Sequence, residues 1–222
     1  MSSLSGQPRS SRPALRSPLE TWFRKSAAPT LPGTAALRFA DCSARPRFGC
    51  KGPGAPEWLS GAGFRVPRMP NTAGVVAGNL VARLATSEFL VEGLSAAVQL
   101  VESAGDQLET TARPAGVYPV ARQDLVIEIA GAALNTLLRQ VCSVDFLPLF
   151  RPSDPNSGPI ILTSMVGVGV VAWPRQSDAV PAVTLWIDPS FAHYFWTTLL
   201  EVGRDLGEVM VVNNQTVPGS KA

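Results

Sequence analysis

Arg47-Phe48-Gly49-Cys50-Lys51-Gly52-Pro53-Gly54-Ala55-Pro56-Glu57-Trp58-Leu59 reads as a strand, a tight Gly/Pro turn and the opening of a helix. The same order returns at Leu125-Val126-Ile127-Glu128-Ile129-Ala130-Gly131-Ala132-Ala133-Leu134-Asn135-Thr136-Leu137-Leu138. The turn glycines, Gly52 and Gly131, stand 79 residues apart. In each copy two further strands and a second helix follow, so the chain reads as a duplicated βαββα unit. This predicts an α+β, pseudo-twofold body whose halves share one core, because neither half is large enough to bury both faces of its own sheet.

Working outward from the first turn, the helix covers 55–61 and the loop Val66-Pro67-Arg68-Met69-Pro70-Asn71 is too proline-rich for regular structure. Strands follow at Asn79–Leu84 and Glu88–Glu92, with Leu80, Ala82 and Leu84 on one face and Val81 and Arg83 on the other. A helix from Leu94 to Leu108 carries Leu94, Ala97, Val98, Val101 and Ala104 at helical spacing. In the second copy the helix covers 132–142, the loop Pro152–Gly158 follows, and strands run over 160–172 and 182–187. Asp188-Pro189 is an N-cap followed by proline at the first helical position. The helix it opens, Ser190 to Leu206, is expected to bury Phe191, Phe195, Leu199 and Val202. The organisation is therefore a basic tail over 1–35, halves over 36–110 and 111–212, and a polar tail over 213–222.

Composition narrows the function. The formal charge of +2 hides an asymmetry, because residues 1–40 carry six Arg/Lys against one acid and the remainder thirteen against sixteen. The folded part is mildly acidic, which argues against a nucleic-acid face. Low charge overall, 16%, suggests surface covered by a partner. The uncharged run Ile160–Trp173 is fourteen residues, β-branched and bounded by prolines. It is too short to span a bilayer and reads as a buried strand. Cys42, Cys50 and Cys142 have no ligand spacing and read as buried free thiols of a reducing compartment. With no apolar export segment near the start, a cytoplasmic location is expected.

Each chemically suggestive residue has a plainer reading beside it. His193 is the only histidine, and it lies on the last helix with no fixed carboxylate or nucleophile near it in sequence, so a helix-surface or interface role outweighs catalysis. One histidine and dispersed cysteines make no ordinary zinc site. Lys51-Gly52-Pro53-Gly54 lacks the phosphate-loop pattern and Pro53 removes an amide donor, so it is a strand-to-helix turn. Gly167-x-Gly169 falls inside a strand, where close backbone approach is expected. Arg45 and Arg47 read as solvated or subunit-contact arginines with a grip on an acidic ligand as the competing reading. Trp58 is a candidate surface anchor, whereas Trp173, Trp186 and Trp196 read as core. Trp22 and Phe23 sit in the short helical signal Leu19-Glu20-Thr21-Trp22-Phe23 and have no core of their own, so they are expected to dock on this domain or on a partner. Asn214-Gln215-Thr216 matches a glycosylation acceptor that an unexported chain would never use.

The opening Ala40-Asp41-Cys42-Ser43 through Arg47-Phe48-Gly49-Cys50-Lys51-Gly52-Pro53-Gly54-Ala55 resembles the Asp-x-Ser and strand-Gly-Pro-x-Ala opening of folate-dependent aminomethyltransferases such as the glycine cleavage T protein. Within that superfamily, Lys51-Gly52-Pro53-Gly54-Ala55 with Trp58-Leu59, Pro70-Asn71, Leu84-Ala85-Thr86-Ser87-Glu88-Phe89-Leu90 and Arg16-Ser17-Pro18-Leu19 are similar to the gamma subunit of heterotetrameric sarcosine oxidase. The resemblance covers about residues 16–210. It implies an aminomethyltransferase-like fold and a cofactor-free small subunit of an oxidoreductase complex in one-carbon metabolism. FAD, FMN, NAD and tetrahydrofolate would then sit on the larger subunits. N-methylglutamate dehydrogenase systems use a similar subunit, so the amine stays open. Two departures matter. T proteins carry an acidic pair where this chain reads Gly74-Val75-Val76-Ala77-Gly78-Asn79, and a Gly-Tyr-Thr-Gly-Glu segment that is absent between Val171 and Leu185. Losing a positioned acid or base costs about 10²–10⁴ in rate, so no catalytic, cofactor-binding or metal residue is expected, and the candidates are for an interface: Trp22, Phe23, Arg45, Arg47 and Trp58. The alternative is a stand-alone folate-binding aminomethyltransferase-like protein that recruits Glu57 or Asp106.

Overall fold

The computed structural model describes residues 15–25, 35–94, 98–110, 113–151, 154, 157–177 and 179–213. A short helix, α1 (Glu20–Lys25), comes first. It is followed by β1 (Leu37–Asp41), β2 (Arg47–Lys51), α2 (Ala55–Gly61), β3 (Thr72–Val76), β4 (Asn79–Ala85), β5 (Glu88–Gly93) and α3 (Val98–Glu109). Then come β6 (Tyr118–Val120), β7 (Leu125–Ala130), α4 (Leu134–Val141), β8 (Ser157–Pro159), β9 (Ile161–Met165), β10 (Val168–Ser177), β11 (Val180–Ile187), α5 (Ala192–Asp205) and β12 (Val209–Asn213). The strands form two six-stranded sheets of order β12-β1-β7-β11-β10-β9 and β6-β2-β5-β4-β3-β8.

Period-2 alternation sorts the side chains into layers. On β7, Leu125, Ile127 and Ile129 face a core built with Leu134, Leu137, Leu138, Phe195, Trp196 and Leu199 of α4 and α5. Phe48, Cys50, Phe89 and Val91 of the second sheet face α2 and α3. Between the sheets lies a smaller apolar layer in which Ala40, Val126, Trp173 and Trp186 meet Ala73, Leu80, Ala82 and Leu90. The molecule is a mixed α+β fold with helices outside two facing sheets.

Several expectations need correction. Three strands, not two, follow the first helix of the first half, and four follow that of the second, where β8 joins the other sheet. The missed strand β3 contains Ala73 and Gly74, which carry little strand propensity, and pairing with β4 overrides that. Ala77 (φ 48) and Gly78 (φ 75) close that hairpin in a two-residue turn. The expected single strand over 160–172 is two strands folded at Val166 (φ 45) and Gly167 (φ 80), so Gly167 serves a turn, and no atom comes within 4 Å of a side chain built there. Phe191 is 47% exposed because a 3₁₀ turn over Pro189–Phe191 precedes α5 and rotates it off the buried face. The capping role of Asp188 is seen, its Oδ1 accepting from Ser190 N at 2.8 Å. Strand β12, for which no element was expected over 209–212 and a polar tail from 213, pairs parallel with β1. The part of the expected helix over 95–97 and the glycosylation triplet lie outside the described residues.

The two turn glycines do equivalent jobs. Gly52 (φ 119) and Gly131 (φ 141) occupy the left-handed region, and a Cβ on either would strike backbone, of Gly116 just before β6 and of Ala36 just before β1. Those strands cross over: β1 pairs with β7 and β6 with β2. Each strand-to-helix turn is thus pressed against the segment leading into the strand that joins its sheet from the other part of the chain.

Candidate functional site, a charged seam and an open hollow

Glu92 on β5 and Glu128, the lone charge of β7, both point between the sheets by alternation. Arg47, fully buried, places Nε 3.6 Å from Glu92 Oε2 and donates through Nη1 to Asp124 O at 3.3 Å and through Nη2 to Ser43 O. Arg45 bridges both carboxylates, 3.5 Å from Glu92 and 3.4 Å from Glu128. Arg175 on β10 reaches Glu128 Oε2 at 2.5 Å, donates to Thr184 Oγ1 at 2.7 Å and lies 4.5 Å from the Trp173 ring centroid. Arg38 completes the set at 3.4 Å from Glu128, and Trp186 Nε1 donates to Glu92 Oε2 at 2.8 Å. The seam joins the sheets by charge where the apolar layer between them is thin.

The Asp-x-Ser opening underlies this seam structurally. Asp41 is buried, its Oδ1 accepting from Ser43 N at 2.9 Å and its Oδ2 from Ser17 Oγ, while Ser43 Oγ accepts from Val126 N at 3.0 Å. These bonds hold the turn that presents Arg45 and Arg47.

Burial works against ionised Glu128, but Arg175, Arg45 and Arg38 outweigh it and hold the carboxyl below its ordinary 4.5. Burial lowers the guanidinium values of Arg47 and Arg175. Burial also opposes the charge on Arg45, yet Cys42, Glu92 and Glu128 raise it. The sign for Glu128 follows from linkage: a carboxyl depressed in the folded state stabilises above its unfolded value, and that stability is lost as pH falls through the folded one. Thermal melts from pH 7 downward should therefore show wild type losing its advantage over Glu128→Gln below about pH 4.5, with the two curves converging in acid. Parallel curves throughout would contradict the pairing. Asp124 acts in the opposite sense, since burial raises its carboxyl above the ordinary 3.8 and the cost of ionising it appears as pH rises.

Beside the seam an open hollow of about 700 Å³ is lined by Ala121, Asp124, Leu162, Gly169, Val171, Trp186 and Asp188, among others. Asp124 and Trp186 belong to both. Asp124 Oδ1 is 3.9 Å from Arg122, and Ser190 lowers the Asp188 carboxyl by bonding to it. Glu57 and Asp106, the substitute carboxylates weighed above, sit on α2 and α3 and do not line the hollow.

Of the five interface candidates, the structure brings Arg45 and Arg47 together in the seam. Trp22 and Phe23 pack on Trp196 of this same chain, at ring-centroid distances of 5.5 and 5.7 Å. Trp58 lies half-buried against Phe48 on the far helical layer. Sequence reasoning missed Glu92, Glu128, Asp124 and Arg175, although a lone Glu inside Leu-Val-Ile-Glu-Ile-Ala was the available signal. In the turn Lys51–Gly54, the Gly54 amide is taken by Gly116 O at 3.1 Å, so it does not serve a phosphate. His193 is exposed on α5. Cys42 and Cys50 are buried, Cys142 half-buried, and burial pushes the Cys50 thiol up to about 12. Among the described residues no helix is long and apolar enough to cross a membrane.

No family model and no curated protein matches the sequence. Solved structures do. A chain of the heterotetrameric sarcosine oxidase from Corynebacterium sp. U-96, in complex with pyrrole 2-carboxylate, aligns with TM-score 0.63 at 20% identity, over 92% of this chain and 98% of that one. The glycine cleavage system aminomethyltransferase T from Bartonella henselae aligns with TM-score 0.55 at 14% identity, over 80% of this chain. The protein has the aminomethyltransferase fold. It spans about half of the T protein, 48% of that chain. Where the resemblance places the acidic pair of that fold, Ala77 and Gly78 make the β3–β4 turn and Asn79 begins β4.

Proposed function

We propose that this chain is a non-catalytic, gamma-type small subunit of a heterotetrameric, flavin-dependent sarcosine or N-methyl amino acid oxidase, acting in the cytoplasm to support assembly with a folate-handling large subunit. The carrying observation is one of extent: the fold accounts for 98% of a sarcosine oxidase chain but 48% of an aminomethyltransferase. Two features support the reading. The space between the sheets is occupied by the chain's own Arg–Glu pairs, and Ala77, Gly78 and Asn79 offer no carboxylate. FAD, FMN, NAD and tetrahydrofolate would belong to the partner subunits. The halves 36–110 and 111–212 would be copies of one unit, a reading favoured by the matching orders β2-β5-β4-β3 and β7-β11-β10-β9. Affinity purification of the tagged chain from its native host should bring down a flavoprotein in fixed ratio, read by visible flavin absorbance. A chain that emerges alone, without flavin, refutes the subunit role.

The competing reading, a stand-alone folate-binding protein, is favoured by one observation: Asp124 and Asp188 both line the hollow. Tetrahydrofolate titrated into the isolated chain should give no heat if the subunit reading holds.

A further inference from the structure

The second sheet does not cover the whole inner face of the first. Leu162, Val171, Trp186 and Val126 stand in one cross-strand row, since Leu162 pairs with Val171, Val171 with Trp186, and Trp186 with Val126. Directly opposed residues share a face. Trp186 and Val126 are buried under the second sheet, Val171 is half-covered, and Leu162 is 56% exposed. Two residues along β10 from Val171, Gly169 also belongs to this face, and no atom comes within 4 Å of a side chain built there. Beyond Leu162, β9 pairs only with β10, leaving its other edge unpaired within the sheet. The hollow is therefore an uncovered continuation of the layer between the sheets.

Its chemistry is one-sided. Asp124 and Asp188 line it and no Lys or Arg does. The two carboxylates feel each other, Asp188 adding to what raises Asp124. Asp188 spends Oδ1 on Ser190, and Asp124 Oδ2 is buried without a hydrogen-bond partner. Asp124 already lies 3.9 Å from Arg122, so the rim charge left for an occupant is chiefly that of exposed Asp188. A fitting occupant brings apolar surface for Leu162 and Val171 and a cation near Asp188. β12 forms the opposite edge of the sheet from β9.

We propose that the hollow over Leu162, Gly169 and Val171 is a docking site for a segment of a partner polypeptide that places an aliphatic or aromatic side chain beside a Lys or Arg. This rests on the subunit reading above. A central apolar contact and a desolvated charge pair are the features that dominate binding energy, and opposite charge at the rim sets association rate and salt dependence.

The test uses the full-length tagged chain expressed in its native host, with Leu162→Asp, Gly169→Trp and Asp188→Asn. Leu162→Asp and Gly169→Trp should each lower the flavin recovered per chain by about tenfold or more, the loss expected when a hot spot is removed. Asp188→Asn keeps an oxygen to accept from Ser190 and should weaken association less, with a shallower dependence on salt. Melting temperatures near wild type establish that the variants fold. Wild-type flavin recovery in both Leu162→Asp and Gly169→Trp overturns the docking site while leaving the subunit reading intact. Absence of flavoprotein from the wild-type preparation overturns both. Tetrahydrofolate heat that appears in wild type and vanishes in Gly169→Trp overturns the docking site in favour of a small ligand.

Discussion

Replacing Glu92 with alanine should cost about 3–5 kcal/mol of stability, the usual result of deleting one member of a buried charge pair. For a chain of this size that corresponds to a fall in Tm of roughly 6–20 °C. Glu92 is fully buried, forms ion pairs with Arg47 at 3.6 Å and Arg45 at 3.5 Å, and accepts from the Trp186 indole at 2.8 Å. In Glu92→Ala the buried Arg47 guanidinium loses the carboxylate paired with it while keeping its bonds to the Asp124 and Ser43 carbonyls. Burial already disfavours its charge. Glu92→Gln keeps an acceptor for Trp186 and should lose less. Combining Glu92→Ala with Arg47→Met should cost less than the sum of the singles, because the second change removes the charge the first one strands. Urea melts of the four proteins measure this. A Glu92→Ala midpoint within about 1 kcal/mol of wild type would mean the seam is too hydrated to matter.

How much of this was legible follows from where the information lay. The strand-turn-helix order at Gly52 and Gly131 was readable because a left-handed glycine before a helix has a local chemical signature, and both φ values agree. Strand β7 at 125–130 was readable as a run rich in Val and Ile, and the Asp188 cap by its proline. Strands β3, β6 and β8 were not, since Ala73-Gly74, Tyr118-Pro119-Val120 and Ser157-Gly158-Pro159 become strands only by pairing, whereas β12 was missed although Val209-Met210-Val211-Val212 is itself β-prone. Local propensity is weakest where tertiary pairing decides. The seam was half legible. Arg45 and Arg47 drew notice for their spacing, but their carboxylates lie 47 and 83 residues away from Arg45, and only the facing of two sheets brings them together. The hollow was invisible for the same reason: Gly169 looked like a packing glycine, and its open surroundings depend on how far the second sheet extends.

The expectation that Trp22 and Phe23 need a surface to dock on leads to the second large effect. Trp196→Ala should cost about 3–5 kcal/mol, the range for truncating a fully buried aromatic. Trp196 is the hub of an aromatic cluster, edge-on to Trp22 at 5.5 Å and Phe39 at 6.0 Å and tilted to Phe23 at 5.7 Å between ring centroids. A six-residue helix such as α1 has no stability of its own in water, so it persists through Leu19, Trp22 and Phe23 on this cluster and through the Ser17–Asp41 bond. Trp196→Ala should therefore do two things at once: lower Tm and release α1, unfolding the backbone at the already exposed Arg24 and Lys25 so that trypsin cuts there at native temperature. Trp22→Ala, at a half-buried ring, should lower Tm less yet release α1 to the same protease, since it removes the anchor from the other side. If Trp196→Ala loses stability while the 24–25 site stays protected, α1 is held by Asp41 alone. If neither variant lowers Tm in the isolated chain, the aromatic pair is not part of this fold's own core, and its role as a partner contact regains force.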